Sequence, residues 1–396
     1  MPAKRSVIES SADRLISWLA AREFQGHDPH DALNSPVLGW MARRSRWVGV
    51  ALVQALRLLP VNVRPLLRVR VGHNPKAMGL FLSAFLRRYV SYRDQADLGR
   101  VSFFSQWLRD HISPGYSGAC WGYNFDWPNR GFSAPAGTPT VVNSVFIANA
   151  FLDMAASLGD GQALDLARST CDFVLRDLHR HEGDSGICFS YTPLDRRWVH
   201  NANLLAAALL ARMGAATGET HLLETATRAA AFSAMAQRPD GSWPYGVARA
   251  DGWADNFHTA FVLVALAEVM EFTGEGRWTP ALDLGYHYWR GSFFQADGAP
   301  KYYHGRLHPI DIHCAAEATL AFLRLRDRYA EAEEWSDRVL FWTVRNMQDR
   351  EGYFHYRIEP LHRIRIPYIR WSQAWMLRAM AEWLWGKGRS RAEMLN

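Results

Sequence analysis

The sequence predicts an all-α protein, an (α/α) toroid of helical hairpins with short β-hairpins in its loops. Three observations predict it. Five times between Thr138 and Trp385, a loop rich in aromatic, Asn, Asp and His residues runs into a long apolar helical pattern. The entries read TVVN (140–143), WVHNAN (198–203), WADNFH (253–258), PIDIH (309–313) and IRWSQ (369–373). With Asn143, Asn201, Asn256, Ile312 and Trp371 taken as equivalent, subtraction of residue numbers gives steps of 58, 55, 56 and 59. Each step holds two helical patterns, and a fixed period of that kind is the mark of stacked helical hairpins.

The elements follow in order. Residues 7–22 read as an amphipathic helix, 34–59 as a helical stretch ended by Pro60, then 77–92 and 99–111, parted by the polar run RDQAD. Residues 115–139 hold too much Gly, Pro and aromatic content for a helix and read as a long ordered loop. The first helices of the pairs are 143–157, 201–216, 256–272, 312–329 and 371–384; three stop at Gly159, Gly218 and Gly274. The second helices are 161–179, 221–237, 278–291 and 331–347. Asp-Gly-type turns follow them, then short aromatic pieces, FSY (189–191), WPYG (243–246), KYYHG (301–305) and YFHY (353–356), that alternate like strand. First helices, rich in Ala, Leu and Val, form the inner ring, and the more charged second helices the outer ring.

At 396 residues and 48% apolar, the chain can bury a large core. The repeats run on without a Pro/Ser/Gly-rich linker, so residues 113–386 read as one toroid core. Residues 1–112 are helices completing or flanking it, and 387–396 a flexible tail. The net charge of +6 fits either solubility or an acidic partner such as an anionic glycan, a phosphate group or a membrane surface. Scattered Lys/Arg runs without a recognised motif argue against nucleic acid. Cys120, Cys171, Cys188 and Cys314 lack CxxC or CxxH spacing, which argues against structural zinc and for a reducing compartment. The first twenty residues lack the apolar run and cleavage site of a secretory signal. The location expected is cytoplasmic, with attachment to the inner membrane as a variant. Residues 44–72 carry that variant: within them the apolar run 47–60 contains Arg57 and is too short to span, and with the basic, apolar stretch that follows it reads as a buried helix pair or as a peripheral membrane contact.

With the repeats in place, the chain resembles the (α/α) toroid superfamily of polysaccharide lyases, glycoside hydrolases, sugar epimerases and the terpene cyclase/prenyltransferase group. PDGSW (239–243), preceded by Gln237, is similar to the Gln-Trp-type repeat of the terpene cyclases. WGYNFDWPNRGF (121–132), GTPTVVN (137–143), DNFHTAF (255–261), DIH (311–313) and IPYIRWSQAWM (366–376) resemble uncharacterised bacterial proteins associated with exopolysaccharide or capsule biosynthesis. That resemblance covers about the last two-thirds of the chain; it implies a sugar-polymer context and no particular reaction.

Helix starts of alternate helices lie on one side of such an array, so the polar entries converge. The loop bearing Trp121, Tyr123, Asn124, Asp126, Trp127, Asn129 and Arg130 offers ring faces for sugars and polar groups for hydroxyls, or a loop pinned by its own aromatics. Asp255, Asn256 and His258 share one helix start, where Asp255 fits an N-cap and His258 exceeds what capping needs. Asp311 and His313 repeat the arrangement, with Tyr302, Tyr303, His304 and His308 just upstream. Tyr368, Arg370, Trp371 and Gln373 form the last entry, where Arg370 suits a ligand carboxylate or phosphate, or pairs with Asp126 or Asp311. The expected catalytic residues are therefore Asp126, Asp255, His258, Tyr302, Asp311 and His313. The expected substrate contacts are Trp121, Tyr123, Trp127, Arg130, Asn143, Asn201, Trp243, Tyr245, Asn256, His304, Tyr368, Arg370, Trp371 and Gln373, with Asn143 and Asn201 also fitting plain caps. No metal ligand set and no cofactor motif is read.

Two enzyme mechanisms fit this inventory, acting on an exopolysaccharide or a lipid-linked, acidic saccharide. A lyase or C5-epimerase would use Asn or Arg to neutralise the sugar carboxylate and His258, His313 or Tyr302 to abstract the proton. An inverting hydrolase would pair Asp126 with Asp255 or Asp311. Terpene cyclisation would want a DxDD or DDxxD cluster, which is absent; a non-catalytic glycan-binding assembly protein needs the aromatic loops alone. No GxSxG elbow or Cys–His environment supports nucleophilic Ser or Cys chemistry.

Overall fold

The computed structural model describes residues 2–129 and 133–386; the expected tail and Arg130 lie outside the described residues. The chain opens with helix α1 (Pro2–Ala20), followed by a 3₁₀ turn (Asp31–Asn34), α2 (Pro36–Ala42), α3 (Arg46–Leu58), α4 (Pro75–Tyr92) and α5 (Gln95–Asp110). Two-residue strands β1 (Trp127–Pro128) and β2 (Ser133–Ala134) pair in the long loop. Then come α6 (Val141–Leu158), α7 (Gly161–Arg176), the hairpin β3 (Arg180–Gly183) and β4 (Gly186–Phe189), α8 (His200–Thr217), α9 (Thr220–Ala234), α10 (Asn256–Thr273) and α11 (Thr279–Ser292). The last part holds β5 (Ile310–Asp311), α12 (Ile312–Leu325), α13 (Ala332–Met347), β6 (Arg357–Ile358) and β7 (Arg363–Ile364). A π-helical turn (Ile369–Ala374) then leads into α14 (Trp375–Gly386). Strands β5, β6 and β7 form a small antiparallel sheet.

Helices α4, α6, α8, α10, α12 and α14 each pack on the next, and α14 returns to α4, closing an inner ring of six. Helices α5, α7, α9, α11 and α13 each back the inner helix before them, and α1 backs α14. The sequence explains the layering. In α6, α8 and α10 most positions are buried whatever their direction, as a helix packed on both sides requires. The outer helix α7 buries a single stripe, Ala163, Ala167, Thr170, Cys171 and Val174, and shows its charges to solvent. Each fully enclosed leucine or phenylalanine of the ring, such as Leu209 or Phe151, contributes about 1.5–3 kcal/mol through removal from water. Gly159, Gly218 and Gly274 end three inner helices at φ of 69°, 75° and 72°, a backbone state that costs a side-chain-bearing residue roughly 1–2 kcal/mol.

Some boundaries differ from the sequence reading, each for a local reason. The expected helix over 34–59 is broken twice, because Ser35 caps α2 through Leu38 N and Ser45 caps α3 through Trp47 N. Only the first two residues of the run RDQAD, Arg93 and Asp94, part the helices: Asp94 caps Ala96 N and starts α5 four residues earlier than expected. Of the expected hairpins, FSY contributes Phe189 to β4, whereas WPYG, KYYHG and YFHY make at most single bridges. The seam between α1 and the end of the chain is stitched by polar contacts. Ser11 Oγ donates to Gln348 Oε1 at 2.8 Å, and Gln348 Nε2 donates to the Ser11 carbonyl at 2.9 Å.

Residues 21–74 lie on the N-terminal face of the inner ring and carry a small separate core of Ala32, Val53 and Leu56. Two buried ion pairs fix them. Arg64 donates to Asp31 at 2.7 Å, and Arg370 grips Asp28 with bonds of 2.6 and 2.8 Å. Asn74 caps α4 and also donates to Asn124, which ties this segment to the long loop.

Candidate functional site

The inner helices are parallel, so their first turns gather on one face. At the α10 entry Asp255 is the N-cap: its Oδ1 accepts from His258 N at 2.9 Å. The same carboxylate, fully buried, faces His258 Nδ1 at 2.8 Å. A carboxylate at Nδ1 fixes the tautomer, placing the proton there and leaving Nε2 as a free acceptor. The ring is 21% exposed and packs edge-on against Tyr245 and Trp253, which are themselves stacked at 4.4 Å. Asn201, Trp243, Tyr245, Asp255 and His258 enclose a pocket of about 10 Å³, the size of one water.

At the next entry Asp311 is committed three ways. Its oxygens accept from His313 N at 3.0 Å, from Trp371 Nε1 at 2.8 Å and from Arg357 Nε at 3.1 Å. That corrects its expected role as a free acid or base. His313 is buried between Phe257, Trp371 and Trp375, with neither ring nitrogen bonded. Burial first, then Lys76 and Arg370, push its pKa well below the usual imidazole range, so it is neutral. Phe257 lies between the two imidazoles, 4.0 Å from His258 and 4.6 Å from His313 by ring centres.

Other expected residues divide. Arg370 pairs with neither Asp126 nor Asp311 but with Asp28, and its guanidinium lies over Tyr123 at 4.8 Å. Burial alone would raise the Asp28 pKa, yet Arg370 and His30 hold it far below the carboxylate range. Tyr302 borders the site, but burial and the nearby Asp255 and Asp311 push its phenol well above 10, so it keeps its proton, against its expected role as a base. Asn143 and Asn201 are not caps. Thr140 caps α6 through Asn143 N, and both Asn143 side-chain atoms, with Asn201 Oδ1, are buried without a partner. Tyr368 is buried beneath Arg64 at 4.7 Å. Trp127 packs on Tyr123 and Tyr191 at the loop's edge.

Several expected contacts are structural. Asp126 is exposed and staples its own loop through Ala136 N. Trp121 is buried and donates to the Leu108 carbonyl. Asn256 bridges Lys301 O and Trp289 Nε1, and Gln373 exchanges two bonds with the Phe354 backbone. Trp243 donates to Ser233 O while lining the small pocket with one edge. His304 is exposed and turns to Tyr288 and Phe293, away from His258.

The sequence reading missed a second feature, a cavity of about 350 Å³ along the toroid axis that opens at the C-terminal ends of the inner helices. Its floor is Phe146, Phe261, Trp375 and Glu317; from Phe146 to the rim at Ser157 is eleven residues of α6, roughly 16 Å of helix. Its walls carry ion pairs: Asp153 with Arg87 and Arg212, and Arg324 with Glu268 and Glu271. Glu317 Oε2 has no partner, and Arg378, also on the floor side, has two guanidinium nitrogens without one. Burial raises the Glu317 pKa to about 8 against the opposing pull of Arg378 and Lys76. Under the floor, Lys76 is buried with its ammonium over Phe146 at 4.4 Å and Trp375 at 5.2 Å. Burial, Arg370 and Arg378 press its pKa well below 10.5. The signal in the sequence was a single carboxylate, Glu317, in the otherwise apolar run IHCAAEATLAFL of an inner helix.

Among the described residues, no three His, Cys, Asp or Glu side chains are placed to share a metal ion, and the four thiols are buried and unpaired. One helix, α6, is long and apolar enough to cross a membrane, but it is an inner-ring helix with most of its length buried in the protein.

No family model and no curated protein matches the chain. Solved structures do share the fold. Cellobiose 2-epimerase from Bacillus thermoamylovorans is 13% identical, covers 80% of this chain and 90% of its own, and superposes with a TM-score of 0.64. A GH76 α-mannanase from Bacteroides thetaiotaomicron is 12% identical over 80% of this chain and 88% of its own, TM-score 0.60. An unsaturated glucuronyl hydrolase specific for heparin is 13% identical over 80% and 87%, TM-score 0.60. At such identities the likeness is one of fold, and it establishes the α/α toroid.

Proposed function

We propose that the protein is a carbohydrate-processing enzyme that moves a proton at a carbon next to a carbonyl or carboxylate, as a sugar epimerase or lyase does. One observation carries the reading: His258 is held by a buried carboxylate at Nδ1 while its Nε2 is left free beside aromatic faces. That is the arrangement of an oriented general base. His258 Nε2 takes the proton from carbon on one side of the sugar. In an epimerisation the proton now on His258 returns to the carbon after the planar intermediate has turned its other face, and in an elimination the leaving group departs while His258 keeps the proton until it is released to water; neutral His313, across Phe257, lines the site. Tyr302 donates to the developing oxyanion. A sugar ring enters by displacing Trp253, which is 37% exposed and lies over Tyr245. The activities of the toroid neighbours, an epimerase and two enzymes of glycan hydrolysis, favour a saccharide substrate. An exopolysaccharide or lipid-linked acidic glycan in a cytoplasmic setting fits the +6 charge.

The test is exchange in D₂O. Reducing disaccharides and uronate oligomers are incubated with the protein, and deuterium at the acidic carbon is read by NMR, with unsaturated product followed in the ultraviolet. Exchange present in wild type and absent in His258→Ala supports the reading. Exchange that survives His258→Ala refutes it.

A second reading rests on the axial cavity, whose volume falls within the ~300–1,000 Å³ range of ligand sites. There Glu317 would be the proton donor and the aromatic floor the sugar platform. Loss of activity in Glu317→Gln with retention in His258→Ala selects it.

A further inference from the structure

Residues 36–71 stand apart from the rest of the surface. Eight of the eighteen exposed large apolar side chains of the described residues fall within 37–71, less than a tenth of the chain. They include Trp40 at 52% exposure, Trp47 at 57%, Val61 at 66% and Leu66 at 84%. The same stretch exposes Arg43, Arg44, Arg46, Arg68 and Arg70, and no Asp or Glu occurs between Asp31 and Asp94. The Arg44 guanidinium lies over the Trp40 ring at 3.7 Å and that of Arg46 over Trp47 at 5.1 Å. The small core of this unit is Ala32, Val53 and Leu56, with Leu33, Leu38, Val63 and Leu67 packed against it. A patch left apolar at this density marks a contact surface. The partner must accept indoles and aliphatic side chains while presenting dense negative charge.

We infer that residues 36–71 dock the protein on an anionic phospholipid surface. Indole rings beside arginines suit the headgroup boundary, where the ring enters the acyl edge and the guanidinium meets phosphate. A second protein copy would bring the same five arginines against themselves, and a nucleic acid would leave Leu66, Val61 and Leu59 in water. The unit lies on the N-terminal face of the ring, held there by Asp28–Arg370 and by Asn34 Nδ2 donating to Asn124 O. Docking therefore sets the His258 face toward the bilayer. Docking is independent of the reaction proposed above.

Flotation with vesicles of phosphatidylcholine containing about one third phosphatidylglycerol, against pure phosphatidylcholine, tests it. Wild type should float with the anionic vesicles and detach at about 0.5 M salt. Arg43→Gln with Arg44→Gln should weaken binding about thirtyfold, the effect of two arginines near an anionic surface. Trp40→Ser with Trp47→Ser should abolish flotation while circular dichroism and Tm stay as in wild type, since both rings are exposed. Equal binding to both vesicle types overturns the inference, as does retention by either double variant. A salt-resistant dimer that the Trp variants dissociate, or RNA binding without flotation, overturns it too.

Discussion

Glu317 lets the cavity be tested without knowledge of any ligand. The carboxyl is nearly excluded from water in α12. Lys76 on α4 and Arg378 on α14 favour its charge, Glu268 on α10 opposes it, and burial outweighs them, raising the pKa from 4.5 to about 8. The folded state thus keeps a proton that the unfolded chain releases above pH 4.5. Stability is greatest below that value and falls as pH rises toward 8, after which the loss levels off. With about 1.4 kcal/mol per unit, the loss is under about 1 kcal/mol at pH 5 and about 4 kcal/mol at pH 8. Glu317→Gln keeps the shape and removes the titration, so the variant gains about 3–4 kcal/mol on wild type between those pH values. Unfolding entropy of about 2.1 cal/mol/K per residue makes that about 4 °C in Tm. Calorimetry of both proteins at pH 5 and pH 8 measures the difference of differences, in which any fixed cost of the amide cancels. A Tm offset that is the same at both pH values, or that shrinks toward pH 8, refutes the buried, proton-holding Glu317.

Three further outcomes follow from the N-terminal face. His258→Ala should remove activity and leave Tm close to wild type, because the ring is partly exposed; Asp255→Ala should also cost about 1 kcal/mol of stability as a lost N-cap, readable by denaturant titration. Asp28→Asn should destabilise by about 3–5 kcal/mol by leaving Arg370 buried and unneutralised. The Asp28 pKa is depressed, so its contribution is present above pH 3.8 and fades on acidification; the variant's deficit should shrink below pH 4, as acid unfolding would show. Asn143→Leu should stabilise the ligand-free protein by about 1–3 kcal/mol, since both amide atoms are buried without partners; a loss of stability would mean the amide is satisfied in solution.

The ring was legible in the sequence because its determinants are local: a period near 57, apolar inner helices, and Gly159, Gly218 and Gly274 at their ends. The Asp255 and Asp311 caps were legible for the same reason. What escaped depends on distant pairing. Nothing near Arg370 in the sequence points to Asp28, 342 residues away, and nothing in α1 shows that it backs α14. The candidate residues were chosen by type, and type does not separate Asn256, locked between Lys301 and Trp289, from Asn143, which has no partner at all. Glu317 and Lys76 were passed over because Glu317 lies a turn inside its helix from the repeat entry and Lys76 lies outside the five entries, and only the closed ring shows that they face its axis.

The closure of α14 onto α4 also sets an order of events during synthesis. Helix α4 is complete at Tyr92, but its second inner neighbour exists only after translation reaches Gly386. At ~5–20 residues per second, the flank of α4 that α14 covers waits roughly 15–60 s, apolar and uncovered, beside the ribosome. Helix α1, complete at Ala20, waits longer still for the helix it backs. The nascent chain is thus an open crescent with two unsatisfied edges until α14 turns it into a ring.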